Sequence, residues 1–187
     1  MTRPAPPPAD ARPPAKLAHF VVRTARYDDT VAWYQMVLGA KVVFSNPMLS
    51  FLTYDDEHHR IAVINMPGLA EAPEGIAGLD HVAFTFASLA DLLHTYRRLR
   101  AADIMPYWCI NHGPTTSLYY RDPNGMQIEL QIDNFATDEA LNAFIQSGTF
   151  KANPIGVAFD PDLLAARLER GEPLSELIKQ GAAPPTG

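Results

Sequence analysis

The sequence predicts an α+β fold in which two β-α-β-β-β modules pair about a pseudo-twofold axis, followed by a helical C-terminal extension. Three observations predict it. LAHFVVRT at residues 17–24 returns as LDHVAFTF at 79–86, an offset of 62 that sets Leu17 on Leu79 and His19 on His81. The same offset sets Asp29 on Asp91 and Tyr34 on Tyr96 in the helix-patterned stretches that follow. A second pair, SFLTYDDEHHRIAVI at 50–64 and SLYYRDPNGMQIELQ at 117–131, repeats at an offset of 67 and reads as a closing hairpin in each half. Self-similarity of this kind is what one supersecondary unit used twice leaves in a sequence.

Taken in chain order, residues 1–16 hold six prolines in their first 14 positions and are expected to form a disordered or polyproline-like arm. The first module spans 17–67. Its opening strand runs apolar, Val31, Tyr34 and Leu38 make a helical stripe, and Gly39 is placed to end the helix. A strand is expected over Lys41 to Phe44, then the hairpin. GLAEAPEGIAG joins it to the second module, 79–132. There Ser88 caps a helix with Asp91 three residues on, and Leu92, Leu93, Tyr96 and Leu99 form its buried face. A strand is expected over Asp103 to Trp108. Five extra residues, which change the offset from 62 to 67, are expected near Cys109 to Thr115. DPNG at 122–125 is a strong turn, with Pro123 in its second position. The paired modules make one domain over 17–136. In the extension, 137–187, Thr137 caps a helix through Phe144 that Gly148 ends, and Asp160 with Pro161 starts another that Gly171 ends. Nothing in this tail suggests chemistry.

Composition excludes several classes of function. The chain has 187 residues and a formal net charge of −6, which argues against a nucleic-acid face. Cys109 is the one cysteine, so no internal disulfide forms and a reducing, cytoplasmic location fits. The N-terminus lacks the apolar core of a signal peptide, and no apolar run is long enough to span a membrane.

The chemistry is expected where the repeat places two histidines at matched positions. If a pseudo-twofold axis relates the modules, His19 and His81 converge. Strand alternation sets Gln127, Glu129 and Gln131 on one face and Met126, Ile128 and Leu130 on the other. The apolar face packs on a helix, so Glu129 faces the concave side of the sheet. A carboxylate there is costly without a partner, and a metal held by two imidazoles would supply one. Two His and one carboxylate with open positions suit Fe(II) that binds O2, and the same ligands accept Mn(II), Zn(II) or Ni(II). Cys109 beside Trp108 reads as a small buried hydrophobe, and Trp33, Tyr107 and Trp108 as core or pocket wall.

These repeats resemble the vicinal oxygen chelate superfamily, which includes glyoxalase I, fosfomycin-resistance proteins, bleomycin-binding proteins and extradiol dioxygenases, over about residues 17–132. The resemblance implies metal ligation by His19, His81 and Glu129. Within the superfamily the sequence is most similar to small extradiol ring-cleavage dioxygenases of the biphenyl-2,3-diol 1,2-dioxygenase type. Their tyrosine ten residues before the metal glutamate falls on Tyr119. Their doubled histidine falls on His58 and His59 in EHHRIAVI, with His59 favoured as the acid-base residue, although strand parity from Ala62 turns His58 inward. A substrate-binding histidine falls on His112, at a spacing about two residues shorter. The tail ANPIGVAFDPDLLAARL also resembles extensions of small members of this group. Many extradiol enzymes carry four such modules, and this chain would correspond to their catalytic pair.

What the resemblance implies is a homodimeric enzyme that opens a catechol-type diol with O2 at a His-His-Glu Fe(II) centre, with no nucleic-acid or membrane partner. A glyoxalase-like isomerase would need a fourth ligand where Ala62 stands. A fosfomycin-resistance-type thiol transferase would need cations, and between Trp108 and Glu129 Arg121 is the one present. A non-catalytic ligand-binding module would have no reason to keep the metal ligands.

Overall fold

The computed structural model describes residues 6, 8–70 and 77–185. Its first module runs β1 (Phe20–Thr24), α1 (Tyr27–Leu38), β2 (Lys41–Ser45), β3 (Leu49–Thr53) and β4 (Ile61–Asn65). The second repeats the pattern as β5 (His81–Thr85), α2 (Leu89–Arg100), β6 (Trp108–Asn111), β7 (Thr115–Arg121) and β8 (Gln127–Asp133). In each sheet the first strand lies parallel to the last, giving the orders β1-β4-β3-β2 and β5-β8-β7-β6. The shared strand order is the repeated module that the sequence predicts.

Local chemistry explains the helices. The Ser88 hydroxyl accepts from the Asp91 amide at 3.1 Å and donates to the Asp91 carboxylate at 2.6 Å, which fastens the start of α2. Leu92, Leu93, Tyr96 and Leu99 of α2 are all at most 2% exposed. Burial of each leucine contributes about 1.5–3 kcal/mol, so the three together outweigh the cap of about 1 kcal/mol several times over. Gly39 ends α1 at φ 63°, the left-handed conformation that glycine adopts without penalty. Tyr34 and Val37 of α1 meet Val22, Leu52, Ile61 and Val63 from the first sheet in the core. Tyr120, Ile128 and Leu130 do the same for the second.

The DPNG turn does more than reverse the chain. Asp122 accepts from the Asn124 and Met126 amides at 2.8 and 2.9 Å, so the turn is internally satisfied. Asn124 then reaches the other module, accepting from the Thr24 hydroxyl at 2.6 Å and donating to Thr30 at 3.1 Å. Arg26 donates to the Pro123 carbonyl at 2.8 Å. These bonds bring the end of β1 beside the beginnings of β5 and β8.

One expected strand is corrected. The strand expected over Asp103 to Trp108 begins at Trp108 and runs to Asn111. Asp103 is left-handed at φ 58° in the turn that closes α2, and Pro106 lacks the amide a ladder needs. The hairpins also differ by one residue. Phe51 faces Ala62 in the first, and Tyr119 faces Glu129 in the second.

The extension forms α3 (Asp138–Gln146), α4 (Gly148–Ala152), β9 (Val157–Ala158), α5 (Pro161–Glu169) and α6 (Leu174–Leu177). Thr137 caps α3 through the Ala140 amide, and Asp160 caps α5 through the Asp162 and Leu163 amides. A fresh cap at Ser147 starts α4 where the sequence suggested a helix end at Gly148. The unexpected element is β9, which pairs antiparallel with β6 and makes the second sheet five-stranded. Among the described residues no helix is long and apolar enough to cross a membrane. Of the expected proline-rich arm, residues 1–5 and 7 lie outside the described residues, as do 71–76 of the linker.

Candidate active site

One cross-strand row on the second sheet brings the site together. Ala83 of β5 pairs with Glu129 of β8, Glu129 with Tyr119 of β7, and Tyr119 with Trp108 of β6. His81 lies two residues before Ala83, so it projects from the same face. Its Nε2 stands 3.0 Å from a Glu129 carboxylate oxygen. The Asp80 carboxylate lies 2.7 Å from the other ring nitrogen, which fixes the ring with Nε2 toward Glu129. Asp80 was not singled out from sequence. The signal was a carboxylate adjacent to a candidate ligand histidine, and at the matched position of the first module there is Ala18.

Tyr119 and His112 complete this cluster. The tyrosine hydroxyl lies 3.0 Å from His112 Nε2, and the Trp108 ring packs against Tyr119 at 4.9 Å and edge-on to His112 at 5.6 Å. Tyr119 is 5% exposed and Glu129 4%. Burial pushes the Tyr119 hydroxyl above the ordinary tyrosine range, and the Glu129 charge pushes it in the same direction. Tyr119 is therefore a protonated donor at neutral pH, aimed at groups that need one. Trp108 thus forms the wall of the cluster, as the sequence suggested.

His19, His58 and His59 form a separate cluster on the first module. His59 stacks between His58 at 4.5 Å and Phe51 at 4.3 Å, and its ring centroid is 4.3 Å from that of His19. His58 is exposed beside Glu57, while His59 is the half-buried ring. Strand parity from Ala62 had turned His58 inward, but β4 begins at Ile61 and alternation does not extend to either histidine. Burial, and then the neighbouring His19 and His58, hold His59 below the ordinary histidine range, so it is a neutral imidazole able to take a proton. Burial shifts Cys109 in the opposite direction, pushing its thiol up to about 12, so it too stays neutral and is inert. Arg121 stacks over the Tyr107 ring at 4.5 Å and donates to the Gly125 carbonyl.

The expected metal ligands can be tested against this geometry. The 3.0 Å between His81 Nε2 and Glu129 is the spacing of two donors that share one ion at about 2.0–2.2 Å each. His19 does not join them. Among the described residues no group of three or more His, Cys, Asp or Glu side chains could hold a metal ion. His81 and Glu129 are thus brought together, and His19 lies on the first module beside His59.

Known proteins share both sequence and fold. Residues 16–130 match the Glyoxalase/Bleomycin resistance protein/Dioxygenase superfamily. The chain is 46% identical over 170 residues to biphenyl-2,3-diol 1,2-dioxygenase 3 of Rhodococcus globerulus, covering 90% of each protein. It is 44% identical over 163 residues to biphenyl-2,3-diol 1,2-dioxygenase 2 of the same organism, covering 87% of this chain and 86% of the other. A solved glyoxylase/bleomycin resistance protein/dioxygenase domain from Frankia sp. EAN1pec superposes with a TM-score of 0.54 at 21% identity, covering 65% of this chain and 99% of that one. With the repeated modules, their strand order and a family match over most of the chain in agreement, the chain belongs to the glyoxalase/bleomycin resistance protein/dioxygenase superfamily.

Proposed function

We propose that this protein is an extradiol ring-cleavage dioxygenase that opens a catechol-type aromatic diol with O2, using Fe(II), in the cytoplasm and as a homodimer. The observation that carries this reading is the convergence of His81, Glu129, Tyr119 and His112 on one face of the second sheet. The two Rhodococcus relatives, named as biphenyl-2,3-diol 1,2-dioxygenases, support it and make biphenyl-2,3-diol the first substrate to try.

The metal, when bound, supplies the positions at which the diol and O2 meet. The side chains do the rest. Tyr119, kept protonated by burial and by Glu129, donates a hydrogen bond to a diol oxygen. His112 Nε2, 3.0 Å away, accepts the Tyr119 proton in the absence of substrate and so holds the hydroxyl in place until a diol oxygen takes that hydrogen bond over. His59, kept neutral, accepts the proton that the diol must lose. Trp108 and Tyr107 flank Tyr119 with aromatic surface on which a planar substrate can rest.

A thiol transferase or isomerase of the same superfamily is disfavoured. Ala62 stands in the row position matching Glu129, and Arg121 is engaged with Tyr107. The deciding experiment is anaerobic reconstitution with Fe(II) and oxygen-uptake screening of a catechol panel that includes biphenyl-2,3-diol. A yellow ring-opened product is expected. Tight catechol binding without oxygen uptake would instead make the protein a binding module.

A further inference from the structure

Beside the row that carries Glu129 and Tyr119 runs a second row of polar side chains. His81 of β5 pairs with Gln127 of β8, and Gln127 with Arg121 of β7. β6 has not begun at this level, and Tyr107 stands next to the row in its place. The Tyr107 amide donates to the Tyr119 carbonyl at 2.9 Å, and the Arg121 guanidinium lies 4.5 Å from the centre of the Tyr107 ring. Tyr107 is 44% exposed and Tyr119 5%, with their ring centroids 6.3 Å apart. One tyrosine thus stands at the mouth of the site and the other on its floor, close enough for one small aromatic ring to touch both.

A chain of hydrogen bonds fixes the outer tyrosine. The Tyr107 hydroxyl bonds Gln127 Oε1. Gln127 Nε2 donates to the Asp80 carboxylate at 3.2 Å and to the Asp80 carbonyl at 3.3 Å. The other Asp80 carboxylate oxygen lies 2.7 Å from His81 Nδ1.

The direction of these bonds follows from Asp80. An ionised carboxylate only accepts, and so does a backbone carbonyl, so the Gln127 amide must turn its NH2 toward Asp80. Its Oε1 then faces Tyr107, and that atom only accepts as well. A tyrosine keeps its proton at neutral pH, and this one is committed to Gln127. The Tyr107 hydroxyl therefore has lone pairs, and no proton, to offer a ligand.

We propose that Tyr107 is a second substrate-binding tyrosine whose hydroxyl accepts a hydrogen bond from a diol O–H, and that Gln127 is the positioning residue that keeps it an acceptor. This assignment rests on the aromatic-diol reading above and names the residue that reads the proton the diol keeps.

Complementarity supports it. The two tyrosines have opposite polarity. The Tyr119 proton, shared with His112 Nε2 at 3.0 Å, can be given to a ligand, whereas the Tyr107 proton is taken. A diol that has lost one proton likewise presents one acceptor and one donor. Its charged oxygen suits Tyr119 and its remaining O–H suits Tyr107. A ligand with oxygens that only accept would set a lone pair against the Tyr107 lone pairs, so the pair also selects against such compounds.

The test uses two ligands of one shape. Anaerobic protein reconstituted with Fe(II) is titrated with biphenyl-2,3-diol and with its di-O-methyl ether, which accepts hydrogen bonds but donates none. In Tyr107→Phe the Kd of the diol is expected to rise about tenfold, the scale of one hydrogen bond. Gln127→Leu is expected to weaken the diol to a similar degree and to tighten the ether, because the freed Tyr107 hydroxyl can now donate. Damage to the fold would weaken both ligands together, so opposite movements identify a change of polarity. Combining Tyr107→Phe with Gln127→Leu should abolish the gain for the ether and add little further loss for the diol, since the two residues act as one unit. Wild-type affinity for the diol in Tyr107→Phe would overturn the proposal, as would Gln127→Leu weakening both ligands in parallel. The crossover in a protein that consumes no oxygen would overturn the dioxygenase reading alone and still support Tyr107. Wild type that does not bind the diol would overturn both.

Discussion

The backbone carbonyl of Ile155 accepts a hydrogen bond from His112 Nδ1. A carbonyl cannot donate, so a neutral His112 must carry its proton on Nδ1 and present Nε2 as an acceptor. That nitrogen faces the Tyr119 hydroxyl at 3.0 Å. The C-terminal extension thus sets the tautomer of a residue beside the Glu129 cluster, although its sequence carries no chemical signal of its own. Gly156 makes this contact possible. Its φ is +112°, and a Cβ there would lie 2.3 Å from the Asn111 carbonyl and 2.7 Å from the His112 Cα. Gly156→Ala should therefore push the 155–158 segment off β6 and release His112. The expected result is a folded, metal-binding protein with catalytic efficiency reduced about tenfold, the scale of one weakened charge-assisted hydrogen bond. Unchanged kinetics in a folded variant would dismiss the tether.

Asn124 joins the two modules through Thr24 and Thr30 and also donates to Asp122 at 3.2 Å. Asn124→Ala removes all three bonds and leaves Thr24 and Thr30 with fewer partners. The expected loss of stability is about 1–3 kcal/mol, read as a lower midpoint in urea with an unchanged slope. An unmoved midpoint would mean that packing alone holds the modules together.

Cys109 should resist alkylation in the native protein. Its thiol is pushed up to about 12 by burial, with the nearby Asp160 and Asp162 acting in the same direction. At pH 8 the reactive thiolate is then scarce. Iodoacetamide labelling should be slow until denaturant is added, and rapid native labelling would contradict the assignment.

Much of this architecture was legible in the repeat. The offset of 62 located both first strands and both helices, because apolar periodicity and caps are local signals that His19, Ser88 and Gly39 carry in their immediate neighbours. The hairpin register was legible to within one residue. Period-two alternation says which residues share a face, but the turn decides which residue stands opposite, and DPNG is one residue tighter than the loop before Ile61. The hydrogen bond from His112 to Ile155 spans 43 positions and uses a backbone carbonyl, which no residue type announces. The convergence of His19 with His81 was inferred from an axis alone. Equivalent positions related by a twofold axis meet only when they lie close to it, and among the described residues no group of three such side chains gathers around His81 and Glu129.

The two adjacent histidines can be told apart by substitution. His59 is stacked between two rings and half-buried, while His58 is exposed. Because the folded protein holds His59 below the ordinary histidine range, the unfolded chain binds its proton more readily, so this residue lowers native stability as pH falls below about 6.5. His59→Phe should keep the stack and remove that acid sensitivity. It should retain substrate binding while turnover falls about 100-fold, the usual scale for a positioned base. His58→Phe should leave turnover close to wild type. The reverse pattern would transfer the proton-handling role to His58.

Tyr119 offers the sharpest division between an enzyme and a binding module. Its hydroxyl has one proton and two acceptors within reach, His112 Nε2 at 3.0 Å and the Glu129 carboxylate. Both burial and the Glu129 charge oppose its ionisation, so the hydroxyl stays a donor across the neutral range. A diol oxygen that carries developing negative charge beside it would accept a hydrogen bond worth about 1.5–3 kcal/mol. Tyr119→Phe removes the hydroxyl but keeps the ring that packs on Trp108 at 4.9 Å and meets the His81 ring edge-on at 5.4 Å. Stability and metal content should therefore stay near wild type, while catalytic efficiency falls about 10- to 100-fold. The loss should appear mainly in kcat, because the charge that the hydroxyl stabilises grows as the diol loses its proton. Steady-state oxygen consumption on the best catechol, compared between wild type and variant at equal iron content, makes the measurement. Kinetics indistinguishable from wild type would assign Tyr119 to the packing of the sheet and leave His112 without a catalytic neighbour.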